Sequence, residues 1–96
     1  MLIHWDDRAR LDLRQLFQFL LERNPSAARR TRSAIHDHAT ILSQQPGLGR
    51  AGRQTGTREL AVARTPYILA YTIDAATNTV IILRVIHGAQ QWPEEL

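Results

Sequence analysis

The apolar residues of this chain change their period once, and that change limits the folds open to it. Up to Leu42 they recur at helical spacing, whereas from Thr57 to His87 they alternate or run continuously, as strands do. Between the two halves lies PGLGRAGRQTG, residues 46–56, which reads as an exposed loop with no regular element, carrying Arg50 and Arg53.

The first half opens on Leu2, Ile3, His4 and Trp5, a short β-prone stretch closed by Asp6-Asp7, either of which can cap a helix N-terminus. Ala9, Leu13, Leu16, Phe17 and Leu20 then fall at i, i+4, i+7, i+8 and i+11, one face of a helix. Asn24-Pro25 ends it, because the residue before proline is pushed out of the α region, and Pro25 suits the first turn of a second helix. Ala28, Ile35, Ala39 and Leu42 make a thinner stripe, predicting a helix from about Ser26 to Ser43 that packs closely as an antiparallel hairpin with the first.

In the second half, Thr57–Val62, Tyr67–Asp74 and Thr79–His87 read as strands joined by hairpin-sized links. The last is apolar on both faces, which predicts an interior place in the sheet. The order is β-α-α-β-β-β: an α+β fold with a helix hairpin packed on an antiparallel sheet, in a single domain spanning residues 1–96.

Composition closes off several function classes. There is no cysteine, so no disulfide, thiol nucleophile or Cys-ligated metal. The longest apolar run, Val80–Ile86, is interrupted by Arg84 and is far short of a membrane span. MLIHWDD does not resemble a signal peptide, so the expectation is a cytoplasmic protein with no membrane contact. All 12 positive side chains are arginine, and the acids Asp6, Asp7, Glu94 and Glu95 sit at the two ends. From Arg8 to Pro93 only Asp12, Glu22, Asp37, Glu59 and Asp74 offset the arginines. A surplus of that kind suits nucleic acid or an acidic protein, although arginines scattered on helix faces are also commonly just solvated.

No Gly-x-Gly-x-x-Gly follows a strand and no Gly-Lys-Ser/Thr loop is present, so those nucleotide sites are excluded. His36-Asp37-His38 reads as helix surface rather than a metal pair, since residues two apart on a helix point in different directions, and no metal site is expected. His4 reads as a partly buried structural histidine. The strands offer more. Arg58, Arg84 and His87 gather near the open face of the sheet if the three strands are neighbours. His87 would then transfer protons while the two arginines clamp a phosphate, a set suited to metal-free, cofactor-free RNA cleavage. The structural alternative is equally simple: Arg58 and Glu59 form a surface pair, Arg84 binds Asp74, and His87 hydrogen-bonds the backbone where the strand ends.

Six segments taken in order, D-L-x-x-L-F-x-F-L (12–20), N-P-x-A-A-R-R (24–30), P-G-L-G-R (46–50), G-T-R-E-L (56–60), P-Y-I-L-A-Y (66–71) and I-L-R-V-I-H-G-A-Q-Q-W-P (82–93), resemble the RelE/ParE superfamily of bacterial toxins. The resemblance implies the toxin half of a type II toxin–antitoxin pair, held silent by a cognate antitoxin whose partly disordered, often acidic segment wraps it. Operator DNA would then be met only through that antitoxin. RelE-like members cut messenger RNA in the ribosomal A site, and ParE-like members poison DNA gyrase without being enzymes. On the nuclease reading, Arg58 contacts phosphate, His87 transfers the proton and Arg84 supports them. This chain has no lysine, and Gly88-Ala89-Gln90 stands where many nucleases carry a tyrosine; the R-V-I-H-G ending and the Gln91-Trp92-Pro93 tail look ParE-like. The expectation is therefore a gyrase poison, with a ribosome-dependent endoribonuclease as the alternative. A silenced toxin kept for antitoxin binding and operon co-repression is the second alternative. Candidate contacts for the antitoxin or target are Leu11 and Leu21 beside the core stripe, Arg50 and Arg53 on the glycine-rich loop, and Trp92, which either covers the sheet edge or anchors a partner.

Overall fold

The computed structural model describes residues Met1–Leu96 and orders them as β1 (Leu2–Trp5), α1 (Asp7–Arg23), α2 (Pro25–Gln44), β2 (Arg50–Ala51), β3 (Arg58–Ala61), β4 (Tyr67–Asp74) and β5 (Thr79–His87). The helices pack as a hairpin on a five-stranded sheet of order β1-β5-β4-β3-β2. Two features refine the expected antiparallel sheet. β1 pairs with β5 in parallel, from Leu2 opposite Thr79 to Trp5 opposite Ile82, so the sheet is mixed. Parallel neighbours cannot be joined by a tight turn, and the helix hairpin begins the long crossover that the pairing requires. Residues 46–56 are also not wholly irregular, because Arg50 and Ala51 pair with Glu59 and Arg58 as a short edge strand.

Local chemistry sets the helix ends. Asn24 closes α1 by donating its N–H to the Leu20 carbonyl, and its side chain caps α2 by accepting from the Ala27 N–H at 3.1 Å, with Pro25 in the first turn. Asp6 starts α1 without a side-chain cap; its N–H instead donates to the Ile82 carbonyl and extends the β1–β5 ladder by one rung. Ala9 and Leu16 of α1 and Ile35, Ala39 and Leu42 of α2 bury against Leu69, Tyr71, Val80, Ile82 and Val85 of the sheet. Fully buried, Tyr71 satisfies its hydroxyl by accepting from the Gly49 N–H at 2.8 Å and donating to the Pro46 carbonyl at 2.7 Å. That approach demands glycine at 49, where a Cβ would lie 2.7 Å from the Tyr71 ring.

The register slips once between β4 and β5: Ala70 faces Arg84 while Tyr71 faces Ile82, leaving Leu83 as the extra residue of a bulge. At the same level β1 has already ended, so β5 has no strand on its outer side. Asp12 of α1 fills that gap. Its carboxylate accepts from the Val85 N–H at 3.0 Å and from Arg84 Nε at 2.7 Å and NH2 at 3.0 Å. With side chains only 13% and 18% exposed, the pair is largely shielded from water. The Asp12 hydrogen bond holds the Arg84 guanidinium firmly protonated, raising its pKa against the opposing effect of burial.

Replacing Asp12 by alanine strands a backbone donor and a guanidinium together, and should destabilise the fold by about 2–4 kcal/mol. Arg84→Met should cost less, because Asp12 keeps the Val85 N–H. Urea unfolding of the two variants reports the order, and equal costs would count against the edge-filling role of Asp12.

Candidate functional site

Cross-strand register decides whether Arg58, Arg84 and His87 meet. Arg58 stands in the row with Tyr71 and Ile82, on the face that carries the helices, while Arg84 stands in the row with Glu59 and Ala70, on the opposite face. His87 pairs with Tyr67, four residues along β4 from the partner of Arg58. That offset is about 13 Å along the strand, and β3 and β5 lie roughly 10 Å apart across it. The three side chains do not gather.

Each is also bonded locally. The Arg58 guanidinium donates to the Gly49 carbonyl at 2.9 Å and to that of Gly47 at 3.3 Å, bracing the glycine-rich segment. Arg84 is held by Asp12 rather than Asp74, whose carboxylate accepts from the Ala76 and Thr77 amides in the β4–β5 turn. His87 Nδ1 accepts from the Ala89 N–H at 3.0 Å, and its ring stands edge-on to Tyr67 with centroids 5.5 Å apart. Burial raises the Tyr67 phenol above its usual range, so it stays neutral around pH 7.

Arg50, Arg53 and Trp92 do come together, around a residue that the sequence analysis treated only as a neighbour of Arg58. Glu59 is 4% exposed. Its Oε1 accepts from Arg50 NH2 at 3.1 Å and its Oε2 from the Arg53 backbone N–H at 3.0 Å, with Arg53 Nε 3.6 Å away. The Arg53 guanidinium lies over the Trp92 ring, 3.6 Å from its centroid, and Gln54 Nε2 donates to the Glu94 carbonyl at 2.6 Å. The tail after β5 thereby reaches back to the β2–β3 hairpin. Trp92 buries its indole Nε1 there without a hydrogen-bond partner. A signal for Glu59 existed: it is the single acid in a strand reached within nine residues of two loop arginines.

Leu11 and Leu21 are exposed on the outside of α1, at 43% and 40%. Phe19, missed because it lies off the core stripe, is more exposed still, with the Arg23 guanidinium 3.6 Å above its ring. A cleft of about 390 Å³ opens between β1, α1 and α2. Trp5, Phe17 and His36 form its aromatic floor, Arg10, Arg14 and Arg32 its rim, and no acid lines it. Trp5 and His36 pack with centroids 5.2 Å apart, and Arg32 sits 4.4 Å over Phe17. His38, the other histidine of the 36–38 motif, has Nδ1 2.7 Å from the Ala34 carbonyl and Nε2 accepting from the Ala63 N–H at 3.2 Å. Both rings are thus used in packing, and no three His, Asp or Glu side chains are placed to hold a metal ion.

Residues 3–92 match the family model described as the ParE toxin of the type II toxin–antitoxin system parDE. Among curated relatives, candidate toxin Y4kP of Sinorhizobium fredii is 38% identical over 94 residues, covering 98% of this chain and 95% of that protein. Among solved structures, the chromosomal ParDE system of P. aeruginosa has a chain that superposes with a TM-score of 0.81 at 23% identity, covering 91% of this chain and 95% of that one. The RelBE2 toxin–antitoxin complex of Mycobacterium tuberculosis superposes with a TM-score of 0.66 at 32% identity, covering 90% and 95%.

Glu59→Gln keeps the shape of the side chain and removes the charge that gathers Arg50 and Arg53. The loss of charged hydrogen bonding at this buried site should cost about 1–2 kcal/mol and free the hairpin and tail together. Limited trypsin digestion should then cut after Arg50 and Arg53 several-fold faster; unchanged cleavage would mean that the Trp92 tail holds the hairpin without Glu59.

Proposed function

Because the chain belongs to the ParE toxin family of type II toxin–antitoxin systems, we propose that it arrests bacterial growth in the cytoplasm by binding DNA gyrase and not by cutting RNA. The observation that supports this reading is the dispersal of Arg58, Arg84 and His87. A metal-free nuclease needs its base, its acid and its phosphate clamp around one scissile phosphodiester, with reacting atoms about 3 Å apart. Here the two arginines leave their strands on opposite faces of the sheet, Arg84 turning to Asp12 of α1 at the outer edge of β5, and all three side chains are tied to carbonyls, a carboxylate or a backbone amide. Binding, in contrast, needs exposed anchors, and Leu11, Phe19 and Leu21 supply them on the outer side of α1. No cofactor enters this mechanism.

The proposal includes a cognate antitoxin that silences the toxin. The cleft of Trp5, Phe17 and His36 rimmed by Arg10, Arg14 and Arg32 suits an acidic segment bearing one large apolar side chain. The side chain would fill the aromatic floor while carboxylates meet the guanidinium forks, the pairing that orders a disordered segment on binding. The likeness to a RelBE complex keeps ribosome-bound messenger RNA as the second reading.

Purified toxin should inhibit gyrase supercoiling, its induction should raise a DNA-damage response, and His87→Ala should remain as toxic as the parent. Cuts in ribosome-bound messenger RNA that vanish in His87→Ala would replace this reading with the endoribonuclease. Tight antitoxin binding without growth arrest would leave a silenced toxin acting in operon co-repression.

A further inference from the structure

A separate cleft, of about 690 Å³, lies between the N-terminal half of α2 and the β3–β4 turn, and neither the gyrase nor the antitoxin reading uses it. Arg29, Arg30, Thr31 and Ser33 line it from the helix and Arg64 and Thr65 from the turn. Four arginines elsewhere lie within 4 Å of a carboxylate, yet none of Arg29, Arg30 and Arg64 does. The acid on this wall, Asp37, forms no ion pair. Three guanidiniums without a carboxylate partner, the hydroxyls of Thr31, Ser33 and Thr65, and the single carboxylate of Asp37 therefore share one concave surface, with a net charge of +2 from its three arginines and one acid.

The two walls are held in fixed relation. His38 bridges them, with one ring nitrogen at the Ala34 carbonyl of α2 and the other accepting the Ala63 N–H of the turn. The turn is tightened by the Thr65 hydroxyl, which donates to the Val62 carbonyl and accepts from the Tyr67 N–H. Within it Arg64 adopts φ +64°, a left-handed conformation that strains a non-glycine residue. An arginine stands where glycine would sit without strain, and the half-buried His38 holds that turn against the helix.

We infer that this cleft is a docking surface for the phosphate backbone of a nucleic-acid duplex, with Arg29, Arg30 and Arg64 each neutralising a phosphate. The lining distinguishes this occupant from others. Its only apolar members are Ala27, Ala34 and Ala63, so it offers no pocket for the aromatic or aliphatic anchor on which a protein interface depends. It has no aromatic ring on which an unpaired base could stack, which sets it apart from single-strand binders. Three guanidinium forks and three hydroxyls, outnumbering the one Asp37 carboxylate and without apolar anchors, are the donor set that positions phosphates. The contact is sequence-independent and direct, in addition to any contact with operator DNA through an antitoxin.

The test is fluorescence anisotropy of the purified chain with a labelled 20-base-pair DNA duplex across a salt series. Binding should weaken with salt, and Arg29→Ala/Arg30→Ala/Arg64→Ala should lower the slope of log affinity against log salt by about 2–3, close to one per arginine. Arg64→Gly separates charge from folding: glycine accepts the left-handed conformation, so the chain should keep or gain stability while losing about one unit of slope. Ala63→Gly, which leaves every charge in place, should bind as the parent does. A triple variant that binds with the parental slope would overturn the inference, as would tighter binding of single-stranded DNA than of duplex. Displacement of duplex by a polyglutamate peptide at equal charge concentration would also overturn it, in favour of a protein partner.

Discussion

Strand β5 must be partnered along both edges, and β1 reaches only as far as Ile82. What completes the outer edge is the Asp12 carboxylate, presented by the second turn of α1 to the Val85 N–H and the Arg84 guanidinium. This one contact ties the helix hairpin to the sheet at the level where the β-bulge turns β5. Parallel pairing of β1 brings the start of α1 to that place, because only one residue separates strand from helix. Helix α1, the bulge and the outer edge of β5 meet at this contact, which pairs a backbone group that would be costly to leave unpaired away from water.

The arginines divide by what they meet. Arg84 and Arg58 are fastened to Asp12 and to the carbonyls of residues 47 and 49. Arg50 and Arg53 are gathered by Glu59, and Arg53 also covers Trp92. Those four build the sheet edge, the glycine-rich segment and the tail. The remaining positive charge lies mostly on the helix pair, where α2 sets Arg32 over the aromatic cleft and Arg29 and Arg30 over the polar one. A net charge of +3 is therefore less informative than its placement, with Arg50, Arg53, Arg58 and Arg84 fastened within the sheet half and seven of the other eight arginines on the helices.

A toxin of this family stands between the two activities carried by one superfamily fold, and fold alone does not choose between them. The chain keeps residue types that a nuclease could use but spreads them over two faces of the sheet and binds each to a neighbour. Exposed apolar residues on α1 and two arginine-rimmed clefts against α2 are instead the surfaces that the proposed partner contacts would use. The same short helix hairpin can thus serve more than one contact, because a helix buries only one stripe and leaves the rest of its circumference free.

Much of this was legible in the residues themselves. The stripes Ala9-Leu16 and Ala28-Ile35-Ala39-Leu42 face the core as their 3.6-residue spacing requires, Asn24-Pro25 separates the helices, and Tyr67–Asp74 and Thr79–His87 are strands along those bounds. These features depend on periodicity and on backbone preferences of proline and asparagine, which act over a few residues and so are written locally. The parallel sense of β1, the two-residue strand at Arg50, the pairing of Arg84 with Asp12 and not Asp74, and the gathering of Arg50, Arg53 and Trp92 on Glu59 were decided only in three dimensions. Each joins residues by cross-strand register or by a contact between distant segments. A one-residue slip of register carries a side chain to the other face of the sheet, so spacing along the chain could place Arg58, Arg84 and His87 on neighbouring strands but could not say which face each one takes.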